Sequence, residues 1–179
     1  MSQIHKYESL SKVNHNRYLI EIKNFVTKEI ITKIHSHDSF DLRGFEFNGY
    51  DFTLADFRAF SMSDIQINGC DFTRTNLEDT NLENSKIQNT DLKQSNLNFS
   101  SLENSNIINC NLSNSKLHSV NLKNASFINC NLSGCKYLKD AKNIKECKFV
   151  NCNFEDVDLS WVDSDVITNN FIECKFMKL

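Results

Sequence analysis

Seven cysteines and five histidines are the side chains of this 179-residue sequence best suited to chemistry. Thiolates and imidazoles bind metals, and a thiol activated by a neighbouring base is a nucleophile. Cys110, Cys130, Cys152 and Cys174 recur at intervals of 20, 22 and 22 residues, with Cys70 forty residues before the first. They can act together only if the chain returns to the same place at each interval. His5, His15, His35 and His37 lie in the N-terminal segment and His118 stands alone, so the histidines offer no ligand or catalytic spacing. No glycine-rich phosphate loop and no Ser/His/Asp arrangement can be assembled.

The element that must position the cysteines is a repeat of five. From Leu42, Phe47, Phe52 and Phe57 through Leu122, Phe127, Leu132 and Tyr137, twenty apolar residues follow one another at every fifth position. This period is neither the 2 of a strand nor the 3.6 of a helix. Two residues before each centre lies a second inward position, which from Cys70 to Cys135 is always Cys, Thr, Ser, Val or Ala. The other three positions of each unit are mostly Asn, Asp, Lys, Ser or Glu, as a water-facing surface requires.

A longer period appears in INGCDF, IINCNL, FINCNL, FVNCNF and FIECKF. It places Gly49, Gly69, Asn89, Asn109, Asn129 and Asn151 in one column, and Gly and Asn tolerate positive φ at a turn. Four units therefore make one coil. After Tyr137 the phase slips by two residues to Ile144, Phe149, Phe154 and Leu159, then by two again to Val166, Phe171 and Phe176. The inserts, residues 138–142 and 160–164, are expected to bulge from one corner, one above the other.

The units TNLED, TNLEN, TDLKQ and SNLNF, between Thr75 and Phe99, resemble the pentapeptide-repeat family, and the match extends over about three quarters of the chain. The resemblance implies an all-β solenoid, a right-handed quadrilateral β-helix with four units per coil. About seven coils at a strand spacing of roughly 4.8 Å would make a tower about 30 Å tall. Residues 1–38 are then an N-terminal capping segment and 39–179 the β-helix. Thr27 is placed to cap a short helix through Ser36, with Glu29 in its first turn and Lys33 nearer its end. Phe40, Phe45, Tyr50, Phe60 and Ile65 stand where the family prefers small residues, so the first coils should be wider and aromatic. Some family members dimerise through a C-terminal helix. Three residues after Phe176 leave no room for one, so the expected state is a monomer or an end-to-end dimer.

This register removes the metal and redox reading. All seven cysteines, Cys135 and Cys147 included, fall on the small inward position, where Cys packs as a compact hydrophobe. Parallel side chains in such a column suit neither tetrahedral zinc nor an unstrained disulfide. The expectation is no metal, no cofactor, no catalytic residue and no enzymatic activity. A net charge of −3 with mixed signs gives no reason for nucleic acid or an acidic membrane as partner, and no apolar run approaches a membrane span. Without a secretory h-region, a cytoplasmic location is expected.

What remains is a rigid surface with local apolar features. Ile108, Ile128, Val150 and Ile172 form one outward column beside the turn, and Trp161 and Val162 occupy the second bulge, near Leu138 in the first. These are the candidate partner-binding residues, and the function they indicate is a protein-binding protection or immunity protein that neutralises a toxin or shields a target. The resemblance implies an alternative, a DNA-mimic protector of type II topoisomerase as in the quinolone-resistance members, for which the acidic face would be Asp64, Glu78, Asp79, Glu83 and Glu103. A structural or secreted-effector scaffold is a third reading.

Overall fold

The computed structural model describes residues 4–7, 12–13, 17–24, 30–36 and 40–176. In the N-terminal part, β1 (Ile4–Tyr7), β2 (Lys12–Val13), β3 (Arg17–Asn24) and β4 (Ile30–Ser36) form an antiparallel sheet in which β1, β2 and β4 all pair with β3. The helix expected through Ser36 is therefore corrected: Ile30–Ser36, with Lys33, is a strand, while Thr27 and Glu29 lie outside the described residues. Four of its seven residues are the β-branched Ile30, Ile31, Thr32 and Ile34. Their restricted χ1 disfavours a helix and suits a pleated strand, which outweighs the cap signal.

The solenoid begins at Phe40. Its flat side is a seven-stranded parallel sheet of β5 (Glu46–Asn48), β6 (Gln66–Asn68), β7 (Lys86–Gln88), β8 (Asn106–Ile108), β9 (Ser126–Ile128), β10 (Lys148–Val150) and β12 (Phe171–Ile172). On the next side β11 (Asn153–Phe154) pairs with β13 (Lys175–Phe176). The register aligns Phe47, Ile67, Ile87, Ile107, Phe127, Phe149 and Phe171, the central residues of seven successive coils. On the other sides, single bridges such as Asp56↔Asn76↔Asn96↔Lys116↔Lys136 continue the stacking.

The five-residue unit has a local cause at each position. Where an Asp or Asn precedes a centre away from the flat side, it accepts a bond from the amide two residues on, as Asp71 does from Thr73 (2.8 Å) and Asn81 from Glu83 (2.9 Å), an Asx-turn that starts the corner. The corner residue then has positive φ, as in Gly69 (64°) and Asn109 (54°). At the small inward position, Thr75 Oγ1 donates to the Phe52 carbonyl of the coil below at 2.7 Å and Thr80 Oγ1 to that of Phe57 at 2.8 Å, while Ser100 and Ser105 donate within their own coil. The centres are buried from Leu42 to Leu132. The first coils are aromatic as expected. Phe52, Phe57, Phe60 and Phe72 are fully buried, with ring centroids 5.0 Å apart for Phe52 and Phe72, while Phe40 and Tyr50 reach the rim.

Tyr137 is corrected from an interior to an exterior residue. It is 50% exposed at φ 64°, and Leu138 fills the core place at 3%. Lys136 still bridges Lys116, and Lys142 bridges Asn121, six residues apart against five in the coil below. The next interval, Lys142 to Lys148, again spans six residues against the five from Asn121 to Ser126, with Asn143 at φ 60°. The two extra residues of this coil are thus Tyr137 and Asn143, one in each of two successive units. Each is turned outward just before a buried centre, Leu138 or Ile144, that opens a single 3-10 turn. A leucine continues the Leu77, Leu97, Leu117 column, which a tyrosine ring would overfill. The following coil takes its two extra residues differently, through a loop and helix α1 (Ser164–Asn170).

Candidate functional site

The thiol column lies inside the tower. Each sulfur of Cys110, Cys130, Cys152 and Cys174 sits between two backbone carbonyls, for Cys130 those of Ile107 (3.4 Å) and Ile128 (3.3 Å). The hydrogen bond shared with Cys110, with burial behind it, pushes the Cys130 thiol up to about 12. The bond with Cys130, again backed by burial, pushes Cys152 up to about 11, and burial alone does the same for Cys135. Such thiols are protonated donors at neutral pH, without nucleophilic character. All seven cysteines are free, and among the described residues no group of three His, Cys, Asp or Glu is arranged to hold a metal ion.

On the flat side the register places Ile108, Ile128, Val150 and Ile172 directly next to one another on adjacent strands. The first three are half-buried and Ile172 is 43% exposed. In the earlier coils the same column holds Asn48, Asn68 and Gln88, so the sheet is polar in its first three coils and apolar in its last four. Beside the strip runs an amide ladder in which Asn89 donates to Asn68 (2.8 Å), Asn109 to Asn89 (3.1 Å), Asn129 to Asn109 (3.1 Å) and Asn151 to Asn129 (2.9 Å). The ladder fixes the spacing of the rungs, and with it that of the apolar strip.

The other candidates do not gather at the strip. Leu138 is a core residue, and its assignment to a partner-binding surface is withdrawn. Trp161 and Val162 are half-buried and packed on the core, and Trp161 Nε1 donates to the Asp158 carbonyl at 2.7 Å. The acidic set divides between two successive corners. Asp64, Glu83 and Glu103 follow one another up one corner, and Glu78 and Asp79 occupy the preceding one. Lys123 meets the Glu103 carboxylate at 3.1 Å and, with Asn121, holds it below the usual carboxylate range.

Another surface cluster was not legible beforehand. Phe99, His118 and Tyr137 stack edge to face at 5.2 and 6.0 Å, and His118 Nδ1 lies 3.2 Å from Asp140 Oδ2. Phe99 and Tyr137 are about half exposed, and both take positive φ where most corners use Asn, Asp or Gly. The signal that could have found them is the adjacent pair Tyr137–Leu138, two apolar residues competing for one inward place.

Four corners per coil, a continuous parallel sheet and a two-residue interior define the class: a four-sided parallel β-solenoid of about seven coils. The pentapeptide-repeat model matches residues 61–98 and 95–134 in eight copies, so this stretch of the chain is made of pentapeptide repeats. Among solved structures, a pentapeptide repeat protein from the cyanobacterium Cyanothece 51142 is 15% identical, covering 77% of this chain and 84% of its own, with a TM-score of 0.47. The plasmid-mediated fluoroquinolone resistance protein QnrB1 is 14% identical, covering 76% and 93%, with a TM-score of 0.41. A pentapeptide repeat protein from the Arabidopsis thaliana thylakoid lumen is 19% identical, covering 69% and 72%, with a TM-score of 0.26. No curated protein sequence matches the chain. Among the described residues no helix is long and apolar enough to cross a membrane.

Proposed function

We propose that this chain is a non-enzymatic, cytoplasmic protein-binding module that protects by covering its partner, acting as an immunity protein that neutralises a toxin. The observation that carries this reading is the apolar column Ile108, Ile128, Val150 and Ile172, held in register on a flat sheet beside an unbroken amide ladder. Apolar side chains on a polar tower need a reason, and a surface already rigid loses little entropy when it binds. The thiols, the residues best suited to chemistry, are occupied in packing.

The test is co-expression with a toxin encoded beside this chain. The wild type should restore growth, and Ile128→Asp should abolish protection while accumulating to the same level. Val150→Asp should do the same, and Glu83→Gln should protect fully. Loss of protection with Glu83→Gln and not with Ile128→Asp would move the interface to the acidic corner and sink the reading.

A further inference from the structure

Each coil of the tower is covered by the next until the last. β12 covers β10 and β13 covers β11, but among the described residues no strand pairs with the far side of residues 156–163. There the interior opens into a cavity of about 620 Å³ lined by Val157, Leu159, Ile167 and Phe176, with Asp156, Asp158 and Ser160 on its edge. Val157, Leu159 and Ile167 pack on the core from one side and remain partly exposed on the other, and Phe176 is 36% exposed. This volume is within the range that encloses a ligand or a few residues of peptide.

Carboxylates predominate around the mouth, where hydrogen bonds from the Ser160 side chain and amide, and then the charge of Lys139, hold Asp158 below its usual range. Asp156 and Asp158 are exposed on its edge, and Asp163 and Asp165 lie at the start of α1. Two nearby lysines already have carboxylate partners, Lys145 with Asp163 at 2.8 Å and Lys175 with Glu155 at 2.5 Å. We propose that this mouth binds an extended segment of a partner protein that carries apolar side chains flanked by Lys or Arg. The apolar side chains would continue the interior column as an incomplete further coil, and the cations would meet Asp156 and Asp158. A second copy of this chain fits poorly, because mouth-to-mouth docking would set these aspartates against their own counterparts. The site is separate from the apolar strip on the flat side and does not depend on it.

The full chain carries its own reporter, since Trp161 is its single tryptophan and donates to the carbonyl of Asp158. Titration with the peptide Leu-Lys-Leu-Lys-Leu should give a saturable change in Trp161 fluorescence that Leu-Glu-Leu-Glu-Leu does not. Affinity should fall about tenfold or more in Asp156→Asn/Asp158→Asn and again in about 0.5 M salt, where exposed charges are screened. Asparagine suits the positive φ at 156 and keeps an acceptor for the Ser160 amide, and equal thermal melts would show that the fold is intact. Ile128→Asp should bind the lysine peptide as the wild type does. Equal binding of both peptides would overturn the proposal, as would the absence of a saturable signal or sedimentation as a dimer that Phe176→Arg dissociates.

Discussion

Two successive coils each carry two residues more than the coils below, and they absorb them in different ways. From Phe127 to Phe149 and from Phe149 to Phe171 the chain advances 22 residues, against 20 from Ile107 to Phe127. The first of these coils turns out Tyr137 and Asn143, one per unit, and keeps its strands. The second abandons the strand geometry on one side and forms α1. The difference follows from what lies beyond each. A coil with another above it must leave its backbone groups aligned for both neighbours. Among the described residues no strand pairs with the far side of the second, and its backbone groups there are satisfied within a helix. Irregularity is thus a property of position as much as of sequence, and it brings unusual surface chemistry: the Phe99–His118–Tyr137 stack at the first insert and the acidic mouth at the second.

The largest test of this pairing is Phe149, the ring shared by both coils, stacked 5.1 Å from Phe127 and 4.7 Å from Phe171. Phe149→Ala should cost about 3–5 kcal/mol, read as a lower urea midpoint. A loss below about 1 kcal/mol would mean that the two coils do not share a packed core.

Two buried thiols of the first of these coils, Cys135 and Cys147, give a pH dependence with a definite sign. The bond that raises Cys130 lowers Cys110, so that pair offsets itself, but burial pushes the Cys135 thiol up to about 11 and the Cys147 thiol well above an ordinary 9.0. As pH rises past 9 the unfolded chain releases these protons before the folded one, so unfolding gains free energy. Stability from this source is intact below about pH 9 and should fall steadily toward about pH 11. Urea midpoints that stay flat over that range would place the thiols in contact with water.

Asn170 pins α1 to the first irregular coil by donating to the carbonyls of Lys145 (3.0 Å) and Cys147 (2.7 Å). Asn170→Ala should cost about 1–2 kcal/mol, with early amide exchange confined to residues 164–170. The smallest effect should come from the most drastic change. Deleting Tyr137 and Asn143 together leaves Leu138-Lys-Asp-Ala-Lys followed by Ile144-Lys-Glu-Cys-Lys, two units with small residues at the inward position. The shortened protein should fold within about 1 kcal/mol of the wild type, because both residues lie outside the column. Failure to fold would show that the bulges are structural requirements of the coil.

Most of the tower was legible because its rule is local and repeated. Each centre from Leu42 to Leu132 was assigned by spacing alone, and the Asn and Gly corners gave the length of the coil. Tyr137 was misplaced because an unbroken period assigns the next apolar residue inward, while the fold could place its extra residue one step earlier. At Ile30–Ser36 the cap signal points to a helix, and β-branching and pairing with β3 carry more weight. Helix α1 could not be read from SDVITNN, whose composition has little helical preference and whose conformation is tied by Asn170 to the carbonyls of Lys145 and Cys147. The strip Ile108, Ile128, Val150 and Ile172 was legible as a column. Its contrast with Asn48, Asn68 and Gln88 emerged from the register of the sheet.

The central claim is that the apolar column on the last four coils is the surface that meets the partner. Under the proposed function, it is tested most directly by calorimetric titration of a toxin encoded beside this chain into the wild type and into Ile128→Asp. The account predicts a one-to-one complex with the wild type and binding weaker by about 100-fold with the variant, at an unchanged melting temperature, as expected when a central contact is lost. Equal affinity for both proteins would contradict it.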